Sequence, residues 1–157
     1  MKILEFRCDK LLFGISLQLI RKIISEPELI DPGGAPPFVR GIFRERNRVY
    51  TLLDISLYLT GIPAENGRCV LLKTSSDLDN EPFEQTWDTM LQLAFQVQEV
   101  GDISEMEEEE LRPAEDNVAG IPADLIKGIG NNSDGEKLFV LDAQELLQKL
   151  LEFANHG

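Results

Sequence analysis

Apolar positions in this chain fall mostly into short period-two runs, and only the last segment holds a sustained helical stripe. In KILEFRC (2–8), Leu4, Phe6 and Cys8 form a period-two set suited to a core, with Glu5 and Arg7 turned to water. Asp9-Lys10 fits a two-residue turn, and LLFGI (11–15) runs back as the second strand of a hairpin. Residues 16–20 fit one helical turn opened by Ser16 as N-cap, and 21–25 read as extended. DPGGAPP (31–37) is a loop, because its two glycines and three prolines oppose both helix and sheet. FVRGIFR (38–44) and RVYTLLD (48–54) predict two strands around a turn at Glu45-Arg46-Asn47, where Asn47 is the residue type that tolerates positive φ. ISLYLT (55–60) predicts a short helix ended by Gly61 and Pro63, and RCVLLKT (68–74) a buried strand.

The segment Ser75 to Asp88 is polar and acidic, with Phe83 and Trp87 as its large apolar residues, and reads as an irregular hairpin tip or insertion. MLQLAFQV (90–97) alternates, with Leu91, Leu93, Phe95 and Val97 on one face and Gln92, Ala94 and Gln96 on the other. Another short strand follows near 98–103. Ile126 to Ile129 and Lys137 to Leu141 predict strands joined by the turn GNNSDGE. Asp142 opens D-A-Q-E, a capping-box-like start with Glu145 at N3. The helix over 143–154 carries Leu146, Leu147, Leu150, Leu151 and Ala154 on one stripe and is short enough to need packing against the body. Many short strands without regularly alternating helices favour small antiparallel barrels over a doubly wound parallel sheet. No repeat is evident, although two halves of similar strand count fit the pattern.

Length and charge narrow the function. A 157-residue chain that is 43% hydrophobic suits one domain or two small subdomains sharing a core. Such a chain buries about 68–70% of its unfolded surface without staples. Its net charge of −13 argues against nucleic acid, which needs a basic footprint, and against an anionic membrane surface. It fits a soluble protein, or one that meets basic patches on a partner. MKILEFRCDK has no apolar core of a signal peptide, and no apolar run approaches a spanning length.

Candidate chemistry is sparse. Cys8 and Cys69 lie in apolar stretches outside any zinc-ligand spacing, as expected of buried free thiols in a reducing cytosol. The only histidine, His156, is next to the last residue. GIGNNSDG lacks the P-loop lysine, and the DxDN run at Asp77 to Asn80 lacks the calcium-loop glycine. Carboxylate pairs are expected by chance among 28 acids, and none is flanked by residues that would split two pKa values. No catalytic residue, metal ligand or cofactor is assigned. The five glutamates between Glu105 and Glu110 read as a solvated loop or turn. More informative is a basic cluster: Arg40, Arg44, Arg46 and Arg48 put four of the 15 cations within nine positions. Arg44, Arg46 and Arg48 share a face in an unbroken strand, and a turn at Asn47 splits them. Arginine's planar fork suits carboxylate contacts at interfaces, while a turn solvated or paired internally is the other reading.

The stretch FVRGIFRERNRVYTLLDISLYL (Phe38 to Leu59) resembles the CheW-like family of chemotaxis coupling domains, which also occurs at the C-terminus of the histidine kinase CheA. Phe38, Val39, Arg40, Gly41, Ile42, Arg46, Leu52, Leu53 and Asp54 follow the family pattern. FGISLQLIRKII (Phe13 to Ile24), PGGAPPFVRG, ELRPAED (Glu110 to Asp116), LIKGIG (Leu125 to Gly130) and LFVLDAQELL (Leu138 to Leu147) fall in the family's order. Departures are Asn47 for the turn glycine, Lys22 for the early Glu, Thr51 for a strand proline, Phe95 for a late Asp, and the long segment Ser75 to Asp88.

The resemblance implies a mainly β fold of two small SH3-like β-barrel subdomains sharing one core, with a C-terminal α-helix, over residues 1–157 as a single domain. It implies a cytoplasmic, non-catalytic adaptor that bridges the chemoreceptor cytoplasmic tip to the regulatory domain of CheA. Carried over, Ile20, Gly41 and Arg46 line the receptor-facing groove: Ile20 as apolar contact, Gly41 for close backbone approach and Arg46 as a polar clamp, while Asp54 is structural. Lys22, Asn47 and Phe95 motivate a second reading, an interaction module of the same fold that lost kinase coupling. A small-molecule or metal-dependent enzyme is a third, marked by a deep pocket of converging acids.

Overall fold

The computed structural model describes residues 1–65, 67–78, 87, 89–114 and 119–156, with the backbone alone for 153–156. The described residues form ten strands: β1 (Lys2–Cys8), β2 (Leu11–Ser16), β3 (Ile20–Ile24), β4 (Val39–Glu45), β5 (Arg48–Asp54), β6 (Arg68–Leu72), β7 (Leu93–Val97), β8 (Glu99–Glu105), β9 (Ile126–Asn131) and β10 (Lys137–Leu141). Three α-helices accompany them: α1 (Ile55–Thr60), α2 (Ser75–Leu78) and α3 (Ala143–His156).

The strands form two five-stranded sheets, in the orders β8-β1-β2-β10-β9 and β3-β6-β7-β5-β4. The second sheet is drawn wholly from the middle of the chain, and the first joins the N-terminal hairpin to the strands that follow. Each sheet holds one parallel pair, β2 with β10 and β5 with β7, so the ladders are not purely antiparallel. Parallel neighbours need a long crossover, and here the intervening chain supplies it. No ladder joins the outer strands of either sheet among the described residues. In the second sheet a side-chain contact brings them together instead: Lys22 Nζ on β3 lies 2.6 Å from Glu45 Oε1 on β4. The second sheet is therefore a curled ladder, bridged across its open seam by that ion pair.

One apolar cluster spans both sheets and α3. It includes Phe6, Phe13 and Phe139 from the first sheet, Leu53, Val70 and Phe95 from the second, and Leu146, Leu147 and Leu150 from the helix. The helix stripe thus buries as its spacing predicts. Asp142 Oδ1 accepts from the Glu145 N–H (3.1 Å), but the Asp142 N–H donates to Leu125 O (2.8 Å), so only half of the capping box forms.

Several local expectations change. Glu5 is 4% exposed, not solvated, because β1 and β8 slip register beside it. Its carboxylate accepts from Ser104 Oγ and Asn132 Nδ2, which tie three segments together. β7 is buried on both faces, since Leu93, Phe95 and Val97 pack into the shared core and Ala94 into a second cluster with Phe43 and Tyr50, and Gln96 is buried as well. The turn after β2 is a 3-10 turn at Leu17–Leu19, and the Ser16 side chain makes no cap. Of Ser75 to Asp88, residues 79–86 and 88, including Phe83, lie outside the described residues, as do Glu115 and Asp116. Trp87 is buried, and its indole N–H donates to Lys73 O (2.9 Å). Cys8 and Cys69 are buried and free; burial pushes their thiols up to about 12 and about 11.

Candidate functional site

The β4–β5 hairpin carries the basic cluster and separates two concavities. Alternation along β5 decides which side chain enters which: Arg48 and Tyr50 face one, Val49, Thr51 and Leu53 the other. The turn is Arg46-Asn47, and it splits the arginine stripe, leaving Arg44 on β4 and Arg48 on β5. Arg46, not Asn47, takes the left-handed conformation (φ 57°). That conformation is unfavourable for a long side chain, so the hairpin holds Arg46 there at some cost.

The first concavity is a charged cleft of about 280 Å³ between β3 and the hairpin, lined by Arg21, Lys22, Glu45, Arg46, Arg48 and Tyr50 among others. Tyr50 is buried and stacks on Phe43 with centroids 5.5 Å apart, which fixes the cleft's inner wall. Arg48 makes a two-pronged contact with Asp77 of α2, Nη1 to Oδ2 at 3.0 Å and Nη2 to Oδ1 at 3.1 Å. Arg21 Nη1 reaches the same Oδ2 at 3.0 Å, and the Thr74 N–H donates to it at 2.9 Å. Arg46 and Arg44 are exposed and make no hydrogen bond or ion pair among the described residues. Where the resembling family has an acid, this chain has Lys22, and Lys22 pairs with Glu45, so no acid faces Arg46 from β3.

The second concavity is a groove of about 480 Å³ on the hairpin's other face, lined by Phe38, Val39, Val49, Leu53, Leu91 and Leu150 among others, with no charged side chain. Val49 and Leu91 are each 50% exposed there.

Arg46 lines the charged cleft; Ile20 is half-buried against the core, one residue before Arg21. Gly41 is buried in β4 at a register shift, with φ 154°. A Cβ at Gly41 would stand 2.8 Å from Ile30 O, so the backbone that approaches it is the chain's own. That approach lets Ile30 pair with Ile42 and leaves the Leu29 and Ile30 side chains 40% and 69% exposed. Asp54 is fully buried and caps α1 by accepting from the Leu57 N–H (2.9 Å). It also accepts from the Ala64 N–H (3.1 Å) and lies 3.7 Å from Arg40 Nε.

The CheW-like domain family model matches residues 2–151. This chain belongs to the CheW-like domain family. Its fold agrees: it superposes on the crystal structure of scaffolding protein TtCheW from Thermoanaerobacter tengcongensis with a TM-score of 0.72. The two share 15% sequence identity, and the match covers 92% of this chain and 86% of that one. Fifteen solved chains match in all. No curated protein matches the sequence significantly. CheW-like domains serve as adaptors in chemotaxis signal transduction, and the two-sheet β fold with its terminal helix is the one expected of them. No described helix is long and apolar enough to cross a membrane.

Sequence reasoning singled out Arg46 but not Arg21 and Lys22 as its cleft neighbours, nor Asp77 as the partner of Arg21 and Arg48. The contact of Arg48 and Arg21 with Asp77 holds that carboxyl well below the usual carboxylate range. A lowered folded-state pKa contributes stability that is complete above the unfolded value, about 3.9, and is lost as pH falls toward the lowered one. The stability difference between the wild type and Asp77→Asn is therefore expected to shrink steadily in urea titrations below about pH 4. A difference that stays constant down to the lowest pH tested would dissociate Asp77 from both arginines.

Proposed function

We propose that this CheW-like domain is a non-catalytic, cytoplasmic adaptor that couples a chemoreceptor's cytoplasmic tip to the regulatory domain of the histidine kinase CheA. Residues 1–157 act as a single domain, a reading supported by the one apolar cluster that draws on both sheets and α3. The observation that carries the receptor site is the hairpin turn, which presents Arg46 exposed and unpaired between a charged cleft and an uncharged groove. Arg46 is the directional clamp, since an arginine free of internal partners has its whole fork available to a partner. Gly41 acts one step back, by seating the Leu29–Ile30 segment that exposes apolar surface beside β4. Ile20 adds apolar contact at the start of β3.

Binding is measured with a receptor-tip helical hairpin and with the kinase regulatory domain. Arg46→Ala is expected to weaken receptor-tip binding about tenfold or more while leaving the thermal midpoint unchanged, because among the described residues the side chain has no hydrogen bond or ion pair to lose. Full affinity in that variant removes Arg46 from the site. The second reading, an interaction module without kinase coupling, draws on Lys22 paired to Glu45 and on Phe95 buried in the core, both departures from the family pattern. It is favoured if the wild-type chain binds neither partner.

A further inference from the structure

We infer that the cleft between β3 and the β4–β5 hairpin receives carboxylate side chains from an acidic segment of a protein partner, and that Asp77, paired to two of its arginines, is an internal competitor. This deepens the adaptor reading and rests on it for the partner's being a protein. The chain has 15 cations against 28 acids, yet four cations, Arg21, Lys22, Arg46 and Arg48, line this one cleft. Among the described residues the acids set against them are Glu45, taken by Lys22, and Asp77, which leaves these residues with a local positive excess.

Asp77 already displays the recognition chemistry. Its two oxygens meet the Arg48 fork in parallel at 3.0 and 3.1 Å, the geometry in which a guanidinium selects a carboxylate. Arg21 adds a third N–H at 3.0 Å. A guanidinium has five donors, so Arg48 and Arg21 keep donors beyond those spent on Asp77, and Arg46 has all of its own. The Arg48 and Arg21 side chains are 28% and 36% exposed, so a second carboxylate can reach them from solvent. None of this depends on the family pattern: Lys22 stands where the family has an acid, and Asp77 lies in the segment that departs most from it.

A protein segment fits better than a polyanion. The chain's overall charge of −13 repels an extended polyanion, whereas a short acidic segment engages only the cleft. The same hairpin offers the uncharged groove on its reverse face, where apolar residues flanking the acids can settle.

The test uses the full chain and a fluorescent ten-residue polyglutamate peptide, followed by anisotropy at low salt. Asp77→Asn is expected to bind the peptide at least about fivefold more tightly than wild type, because the competitor loses its charge. Arg48→Gln is expected to weaken binding about tenfold. Arg46→Gln, which has no internal contact to lose, is expected to weaken it in the Asp77→Asn background and guards against effects of misfolding. Equal affinity of Asp77→Asn and wild type overturns the competitor. Insensitivity to both arginine changes overturns the site. Displacement of the peptide by inorganic phosphate at equal charge concentration overturns the assignment to a protein segment. The receptor-tip and kinase measurements are separate, so their failure bears on the adaptor reading and the peptide result on the cleft.

Discussion

Asp54→Ala is expected to destabilise the protein by about 3 kcal/mol, lowering the thermal midpoint by roughly 10 °C. Asp54 is fully buried at the junction of β5 and α1, and its carboxylate serves three groups at once. It caps α1 through the Leu57 N–H at 2.9 Å, holds the buried Ala64 N–H at 3.1 Å, and stands 3.7 Å from Arg40. Alanine removes every acceptor and leaves the Ala64 N–H without its side-chain partner in the interior. An orphaned buried donor costs about 1–3 kcal/mol, and a lost N-cap about 1 kcal/mol. Arg40 adds less, because it is partly exposed and keeps its contact with Gln96 Oε1 at 3.3 Å. Asp54→Asn retains one acceptor oxygen and is expected to lose about half as much. Calorimetry on the three proteins gives the order wild type, Asn, Ala. An alanine variant within about 2 °C of wild type would mean that water or a shifted loop replaces the carboxylate.

Asp54 also marks how far the sequence could be read. The family resemblance marked it as structural, and period-two runs located the strands because alternation along a strand is a local pattern. Ile20, Gly41 and Arg46 came from the family resemblance and not from periodicity. What escaped was whatever depends on strands far apart in sequence. Glu5 looked solvated by alternation; the register slip against β8, nearly a hundred residues later, turned it toward Ser104. Asn47 was the better intrinsic choice for a left-handed residue, yet the ladder from Glu45 to Arg48 sets the turn so that Arg46 takes that conformation.

The two concavities could not be read for the same reason. The charged cleft joins β3 to β4, which are opposite edges of one sheet, and no linear pattern announces that Lys22 meets Glu45. Asp77 sits in the segment least like the family, so neither resemblance nor periodicity could pair it with Arg48. The uncharged groove combines β4, β5, the residues before β7, and α3, four segments spread over most of the chain.

Among the described glycines the tightest surroundings are at Gly67, and Gly67→Ala is expected to cost more than about 3 kcal/mol, beyond the usual range for overpacking. A Cβ there would lie 1.9 Å from Val97 O and 2.9 Å from Val97 C, with Ala64 O at 3.2 Å. These are backbone atoms, so no side-chain rotation relieves the contact. Val97 ends β7 and is buried in the shared core, and the adjacent Arg68 is its partner in the β6–β7 ladder. Relief therefore requires moving β6 away from β7 at the start of the ladder, or moving Ala64 off the Asp54 carboxylate. Gly61→Ala supplies the contrast. Gly61 is left-handed (φ 80°) with nothing within 4 Å of its would-be Cβ, so its cost is conformational only, about 1 kcal/mol. Urea denaturation of both variants separates steric from conformational cost. If Gly61→Ala proves the more damaging, the close passage of β7 beside Gly67 is wrong, and with it the placement of β6 against the core.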